Sequence, residues 1–330
     1  MEIGRVPARG SAFSRVVGGA AWRAEAEQWI ELSLHSHGRT LTGPITQPRI
    51  RPWSTQLVVD TDRGRWWFKA TCPSMAFEAG LHAVLAGLAP DRVDMPVAVD
   101  AARGWILTTD RGATLGDGAE PDTEQWCRVV RSAAALQQTF TRHGPELLAA
   151  GLPDCRPQRV LGRFDRLVEV LSGLPTDHPS HASAAVVGDL TAARPRLARA
   201  VETLEASVLP VTWQHGDLHP WNVLEAGGDL RLFDFGDGQW AHAAEILGVP
   251  RGWITERDDV EWAPVEAAYC AAWDLTPADL ADDLAAAALT HPVHRALTWW
   301  NCLLDATAEE WQQWGEAPLY HLCGVIEGAA

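Results

Sequence analysis

The chain has 330 residues, of which 47% are hydrophobic and 21% charged, and this ordinary globular composition argues against a disordered chain. The net charge of −16 argues against nucleic acid or an anionic membrane as the main partner, and no apolar run approaches the roughly 20 residues that span a bilayer. Six cysteines without a Cys-x-x-Cys pair, and a first segment without a signal-peptide pattern, favour a cytoplasmic protein with free, buried thiols.

One helix and three strands are predicted first. Apolar residues at helical spacing predict a helix over 20–38, and alternation between turn residues predicts antiparallel strands over 45–50, 56–60 and 65–70. The third strand contains Lys69, the only lysine of the chain. Because every other strong base is arginine, Lys69 indicates a position that requires the compact point charge of an ammonium group.

A helix predicted over 77–88, with Ser74 as its expected N-cap, follows this strand. Glu78 is its only acidic residue. A strand lysine paired with a helix glutamate fixes the α- and β-phosphates of a nucleotide in kinase folds. Taken alone, Lys69 and Glu78 fit a surface lysine and a solvated glutamate better, but the motifs downstream favour the functional pair.

Two further strands, predicted over 96–99 and 105–109, end the strand-rich part of the chain. Glycines and turn residues over 110–118 break the pattern, and we expect a boundary near Gly112. Beyond it, helical patterns cover 121–140, 159–171, 194–205, 258–273, 276–289, 293–305 and 308–314.

The most informative stretch lies between these helices. Residues 211–213 lead into Gln214-His215-Gly216-Asp217-Leu218-His219-Pro220-Trp221-Asn222, and a predicted β-hairpin over 223–233 leads into Asp234-Phe235-Gly236-Asp237. The pattern His-x-Asp-x-x-x-x-Asn followed by Asp-Phe-Gly belongs to the protein-kinase signature set. Because a hairpin places its two ends side by side, the acidic and amide groups before and after it can meet in one cluster.

Each polar group in this cluster has an expected role in phosphoryl transfer. Asp217 would orient an acceptor hydroxyl and take its proton, while Asn222 and Asp234 would hold Mg²⁺, which prefers oxygen ligands. Isolated residues of these types form turns more often, but the combined motif makes that interpretation weak.

The neighbouring residues are less specific. His215 and His219 are interpreted as braces of the loop rather than as bases. Asp237 fits a supporting role at the metal or a helix cap equally well. Trp221 either packs under the loop or touches the acceptor.

These motifs resemble the aminoglycoside phosphotransferase family, which includes small-molecule kinases. The resemblance implies an α+β, two-lobed, protein-kinase-like fold, with a small antiparallel-sheet lobe that binds nucleotide (1–111) and a larger, mainly helical lobe that holds the catalytic loop, metal site and substrate pocket (112–330). Lys69 and Glu78 match the family's phosphate-anchoring pair. Thr108, Thr109 and Asp110 match the hinge that meets the purine. The catalytic and metal-binding residues match as assigned above.

Three departures place the chain in a branch of the family whose acceptor the sequence does not specify. The predicted phosphate-covering loop over 51–55 has no glycine, so the hydroxyls of Ser54 and Thr55 are expected to substitute for its backbone cradle. Trp221 stands where many relatives have glycine. The usual Asp-Leu-Ala after the second motif is replaced by a run ending in Glu245-Ile246-Leu247.

The sequence hypothesis is therefore a Mg²⁺-dependent kinase that uses ATP or GTP to phosphorylate a hydroxyl of a sugar, aminoglycoside, nucleoside or amino alcohol. The alternative is a nucleotide-binding pseudokinase with a regulatory or scaffolding role. The four intact residues Lys69, Asp217, Asn222 and Asp234 argue against that alternative, and the glycine-free loop argues weakly for it. The nucleotide preference and the oligomeric state are not specified.

Overall fold

The computed structural model describes residues 12–226 and 228–327, so residues 1–11, Gly227 in the predicted hairpin turn and residues 328–330 lie outside the described part. The strands in these ranges are β1 (Thr46–Ile50), β2 (Ser54–Thr61), β3 (Gly64–Thr71), β4 (Ala98–Asp100), β5 (Trp105–Thr109), β6 (Val211–Gln214), β7 (Val223–Ala226), β8 (Asp229–Leu232) and β9 (Gln239–His242). The α-helices are α1 (Phe13–Val17), α2 (Ala20–Ser36), α3 (Phe77–Leu88), α4 (Thr123–Phe140), α5 (Gly144–Ala149), α6 (Pro157–Ser172), α7 (Ala184–Ala206), α8 (Gly248–Thr255), α9 (Trp262–Ala272), α10 (Ala281–Cys302), α11 (Ala308–Trp314) and α12 (Ala317–Glu327).

The N-terminal part is built on one antiparallel sheet in the order β1-β2-β3-β5-β4. Helix α2 covers one face of it, where Trp22 and Trp29 pack edge-on against Phe68 and Trp105. These large apolar side chains bury the sheet face and hold the helix in place. The strands and the helix over 20–38 predicted from the sequence are confirmed within a few residues.

The C-terminal part is mainly helical, with α10 packed against α6, α7 and α12. Two small antiparallel pairs, β6 with β9 and β7 with β8, lie within this helical part in chain order, between α7 and α8. The predicted fold, a small antiparallel sheet followed by a larger helical part, is confirmed. The exact division at Gly112 stays a prediction.

Two prolines lie inside helices, and at one of them, Pro292, the sequence predicts a break. The helices predicted over 276–289 and 293–305 are largely one helix, α10, which contains Pro292, and α7 runs through Pro195. Proline removes an intrahelical hydrogen bond, so tertiary packing has to offset that loss. Pro292 packs closely on α12, since a Cβ added at Gly324 would lie 3.2 Å from the proline ring.

Two residues at the predicted helix starts, Thr276 and the expected N-cap Ser74, have other roles. The Thr276 hydroxyl donates to the Asp279 carboxylate at 2.6 Å within a turn, and α10 begins only at Ala281. Ser74 lies in a short 3-10 turn and donates to the carbonyl of Asn301 at 3.0 Å, so α3 begins without a side-chain cap. The helical spacing over 77–88 is therefore confirmed, but the prediction of Ser74 as the N-cap is wrong, and α10 begins later than the predicted Thr276.

The six cysteines are free, and five of them are buried, as predicted. Within the described ranges, no helix has the length and apolar character needed to cross a membrane.

Candidate active site

The hairpin β7–β8 brings the predicted catalytic groups together. Strand β7 begins directly after Asn222, and the Phe233 amide donates to the Asn222 carbonyl at 3.2 Å. His215 Nε2 lies 3.0 Å from the Phe233 carbonyl oxygen, and its Nδ1 accepts from the Asp217 amide at 3.4 Å. The segment that carries Asp217 and Asn222 is therefore fastened to the segment that carries Asp234, and His215 braces the two as predicted.

Lys69 joins the sheet to this cluster. Its Nζ lies 2.7 Å from Glu78 Oε1 and 2.8 Å from Asp234 Oδ1. Burial alone would lower the pKa of Lys69, but the charges of Asp234 and Glu78 raise it above its ordinary value. The same Glu78 oxygen accepts from the Phe235 amide at 3.2 Å, so one buried carboxylate holds both the lysine and the segment that follows Asp234.

A cavity of about 410 Å³ opens between the sheet and the hairpin. Its lining includes Lys69, Glu78 and Asp234 as well as the predicted hinge residues Thr108, Thr109 and Asp110. The Asp110 amide donates to the Arg65 carbonyl at 2.9 Å, so this backbone donor is already used within the protein. A ligand with an anionic group would meet the ammonium group of Lys69 in this cavity.

The structure does not bring Ser54 and Thr55 into this cavity. Both are buried at the start of β2, and the Thr55 hydroxyl donates to the Arg49 carbonyl and accepts from Gln47, each at 2.8 Å. Their expected phosphate contact is therefore wrong for the described conformation. The β2 side chain that lines the cavity is Gln56.

The turn that precedes these residues is held against the C-terminal helices. The Trp53 ring packs edge-on against Trp299 of α10 and Trp314 of α11, with centroid distances of 5.4 and 5.1 Å. The Cys72 amide donates to the Trp53 carbonyl at 2.8 Å. A glycine-rich loop in this position would be flexible, whereas this turn is fixed by aromatic packing.

Asn222 and Asp234 supply the oxygen chemistry that Mg²⁺ requires. Asn222 Nδ2 donates to the Asp217 carbonyl at 2.8 Å, which fixes the amide so that its Oδ1 remains as the ligand atom. Asp234 has φ +64, a left-handed conformation that aspartate adopts more readily than most residues. Mg²⁺ usually takes one or two protein oxygens and completes its shell with phosphates and waters, so this pair fits it.

Both oxygens of the Asp217 carboxylate have cationic or polar partners. Oδ2 lies 3.3 Å from His219 Nε2, and Oδ1 lies 3.3 Å from Arg295 Nη2. Burial alone would raise the pKa of Asp217, but Arg295 and His219 hold it well below its ordinary value. The carboxylate is therefore charged at neutral pH, as a group that attracts a hydroxyl proton has to be.

Arg295 of α10 is a site residue that the sequence gives no signal for. Its Nη1 donates to the Gly216 carbonyl at 2.8 Å and to Asp237 Oδ1 at 2.9 Å. Because Asp237 Oδ1 is bound to Arg295, this oxygen neither caps the next helix nor faces Asn222 and Asp234, the two candidate Mg²⁺ ligands. Burial is the largest influence on Asp237 and raises the pKa of its carboxyl, against the lowering effect of Arg295.

Trp221 packs on one side and is open on the other. Its ring covers Gly116, where an added Cβ would lie 2.4 Å from a ring atom, and it contacts Trp253 of α8 at a centroid distance of 5.3 Å. Trp221 and Trp253 are 39% and 36% exposed, and His219 contacts both rings. The two expectations for Trp221, packing and an open face near the acceptor, are therefore compatible.

A sequence model of the phosphotransferase enzyme family matches residues 53–282, which include Lys69, the catalytic loop and the Asp-Phe-Gly segment. This match covers more than half of the chain. The chain belongs to the phosphotransferase enzyme family. It is a phosphotransferase with an alcohol group as acceptor, and the resemblance predicted from the motifs is confirmed.

Several solved structures share the fold of this phosphotransferase. The GDP complex of aminoglycoside 2'-phosphotransferase-IIIa is 15% identical, with a TM-score of 0.59, over 92% of this chain and 97% of that one. A macrolide 2'-phosphotransferase type I is also 15% identical, with a TM-score of 0.57, over 93% and 97%. A Plasmodium vivax ethanolamine kinase is 12% identical, with a TM-score of 0.58, over 84% and 82%. No curated protein matches the chain significantly.

The departure at Glu245 has a structural explanation in this phosphotransferase. Glu245 is 1% exposed, accepts from the Thr290 hydroxyl at 2.6 Å and lies 3.3 Å from His294 Nε2. Burial alone would lower the pKa of His294, but Glu245 and Cys155 raise it to about 10, so the imidazole is charged beside the Glu245 carboxylate. The pair fastens the short turn after β9 to α10.

Proposed function

We propose that this phosphotransferase is a Mg²⁺-dependent kinase that transfers the γ-phosphoryl group of ATP or GTP to a hydroxyl of a small molecule. The observation that carries the proposal is the bridge from Lys69 to Glu78 and Asp234, at 2.7 and 2.8 Å, in the wall of one cavity. A lysine anchored by a helix glutamate next to a metal-binding aspartate is the arrangement that holds nucleotide phosphates in kinases.

The nucleotide would occupy the cavity between the sheet and the hairpin. Its base would lie near Thr108 and Thr109, and its phosphates near Lys69. Solved relatives have been described with ADP and hygromycin B and with GDP, which makes both adenine and guanine nucleotides reasonable co-substrates. Asn222 and Asp234 would hold Mg²⁺, which, when bound, neutralises charge on the phosphates.

Asp217 would perform the proton transfer. Its carboxylate is held by Arg295 and His219, so it is ionised and fixed before an acceptor arrives. An acceptor hydroxyl would donate its hydrogen bond to this carboxylate, and Asp217 would take the proton as the oxygen attacks the γ-phosphorus. The bond from the γ-phosphorus to the bridging oxygen of the β-phosphate would break, and ADP or GDP would leave with that oxygen. Fixed orientation supplies much of the rate in such reactions because the phosphoryl group itself needs little covalent help.

The body of the acceptor would rest on the exposed faces of Trp221 and Trp253. Both rings adjoin His219, which touches the catalytic carboxylate, so an acceptor on these rings has its hydroxyl close to Asp217. Trp253→Ala should raise the acceptor KM about 3- to 10-fold, since one aromatic contact contributes about 0.5–1.5 kcal/mol. The nucleotide KM should not change. An unchanged acceptor KM would move the acceptor away from these rings.

The decisive experiment is a panel of sugars, aminoglycosides, nucleosides and amino alcohols incubated with Mg²⁺ and either ATP or GTP. Mass spectrometry should show a gain of about 80 Da, the mass of one phosphoryl group, on the acceptor. Asp217→Ala and Asp234→Ala should abolish the gain, and Asp91→Ala, a change at an exposed aspartate, should not. Nucleotide binding without transfer to any acceptor or to water would favour the pseudokinase instead.

A further inference from the structure

We propose that Arg295 is a positioning residue for phosphoryl transfer: from α10 it holds the Asp217 carboxylate, the Gly216 carbonyl and Asp237 in one fixed arrangement. This inference rests on the proposed function of Asp217. It assigns a task to a residue that is remote from every motif in the sequence.

The first support is the set of contacts. One guanidinium reaches three acceptors in two chain segments, at 2.8 Å to Gly216, 2.9 Å to Asp237 and 3.3 Å to Asp217. The planar guanidinium has five donors in a rigid fork, so it can fix several oxygens at once. An ammonium group at the end of a flexible stem cannot hold the same three groups in one geometry.

The second support is where these segments meet. Gly216 has φ +77, and a Cβ there would lie 2.0 Å from the Asp237 carbonyl oxygen, so the catalytic loop and the Asp237 segment touch backbone to backbone. Arg295 spans this contact, with its side chain only 11% exposed. Arg295 of α10 therefore fixes the position of the catalytic loop relative to the Asp-Phe-Gly segment.

The third support is charge. Asp217 and Asp237 are two carboxylates bound to the same cation, the guanidinium of Arg295. Without that cation, the negative charge of each would repel that of the other. His219 holds the second oxygen of Asp217, so the carboxylate is fixed at both ends. Loss of Arg295 would release one end and leave two like charges close together, which would turn Asp217 away from the hydroxyl that it has to meet.

The test compares Arg295→Met, which keeps the length and removes the charge, with Arg295→Lys, which keeps the charge and removes the fork. The matched control is Arg196→Met, because Arg196 also is a partly buried arginine that donates to backbone carbonyls, those of Val325 and Ile326 in α12. Turnover is measured as transfer to the acceptor found in the panel, or as hydrolysis of the nucleotide.

For Arg295→Met we expect kcat to fall about 10²-fold, the effect of misplacing a reacting group by about 1 Å, with the nucleotide KM unchanged within about twofold. Arg295→Lys should restore kcat to about a tenth of the wild-type value. The control Arg196→Met should lower the melting temperature without lowering kcat. An unchanged kcat in Arg295→Met, or a raised acceptor KM with normal kcat, would overturn the positioning role. If Arg295→Met does not fold, Arg295→Lys with wild-type kcat overturns it equally.

One readout does not need turnover, which separates this inference from the proposed function. A crystal structure of the Arg295→Met or Arg295→Lys protein should show the Asp217 carboxylate rotated away from its wild-type position. An Asp217 side chain that has not moved would contradict the inference, whether or not the wild-type protein phosphorylates anything. A wild-type protein without transfer or hydrolysis would contradict the proposed function alone.

Discussion

The indole of Trp53 packs against the indole of Trp314, with ring centroids 5.1 Å apart and ring planes at 80°. Trp53 belongs to the turn between β1 and β2, and Trp314 to the last turn of α11. The contact therefore ties the edge of the five-stranded sheet to the helical part of the chain. Together with Trp299, it replaces the flexibility of a glycine-rich loop by a fixed aromatic joint.

We predict that Trp53→Ala lowers the free energy of unfolding by about 1–3 kcal/mol, since two aromatic pairs are lost. It should also weaken nucleotide binding, because β2 begins at Ser54 and carries Gln56 to the cavity. Urea denaturation and nucleotide titration measure the two effects. Trp53→Phe is the control and should retain most of both. Wild-type values for Trp53→Ala would mean that the joint has no energetic role.

Replacement of the single lysine tests the phosphate anchor. Lys69→Arg should keep the fold but lower kcat/KM on the order of 10²-fold, because a guanidinium cannot take the place of a compact ammonium between Glu78 and Asp234. Steady-state kinetics measure the change, and circular dichroism verifies the fold. Arg65→Lys, at an exposed position on the same strand, is the control and should be neutral. Unchanged kinetics in Lys69→Arg would remove Lys69 from the site.

Two glycines with positive φ allow a matched comparison. Gly216→Ala should lower the stability by at least about 3 kcal/mol and abolish turnover, because its Cβ would meet the Asp237 carbonyl at 2.0 Å. Gly112 has φ +88 but open space around it, so Gly112→Ala should cost only about 1–2 kcal/mol of left-handed strain. Thermal unfolding measures both. Equal losses of stability in the two variants would show that the cost at Gly216 comes from left-handed backbone strain and not from the contact with Asp237.

Acid should destabilise the protein through its buried histidines. Burial lowers the pKa of His82 to about 4, and His215 and His291 are shifted in the same direction for the same reason. Because the unfolded chain binds these protons first, stability falls as the pH falls from about 6.5 to 4. Urea denaturation across this range measures the slope.

His82→Gln should make that slope shallower, since it removes one of the groups whose pKa differs between the folded and unfolded states. His35→Gln, a change at an exposed histidine, is the control and should leave the slope as it is. A slope identical in the wild-type and His82→Gln proteins would mean that His82 does not contribute.

The sequence is sufficient to predict that the candidate catalytic groups lie together, because these groups are close along the chain. Asp217, Asn222 and Asp234 flank one hairpin, and its turn determines that they converge. Lys69 and Glu78 stand out because the chain has one lysine and the following helix has one acid, and the motifs downstream favour their pairing. In each of these cases, local geometry and unusual composition carry the information.

Contacts between distant segments could not be predicted in this way. Arg295 lies on a helix without a motif, and nothing in its neighbours indicates that it reaches Asp217. Ser54 and Thr55 were assigned to phosphates because the loop lacks glycine, but the packing of Trp53 draws that turn toward α11 and buries them in β2. The partner of a side chain across the core depends on the whole fold, which local patterns do not encode.

A chain with one lysine also has one peptide bond that a lysine-specific endoprotease can cut, the bond between Lys69 and Ala70. That bond lies inside β3, between β2 and β5, so the enzyme can reach it only when the sheet opens. Cleavage would give two fragments, and its rate would report how often the strand opens. A nucleotide anchored at Lys69 should protect the chain from the protease, which makes digestion a measure of ligand binding that requires no knowledge of the acceptor.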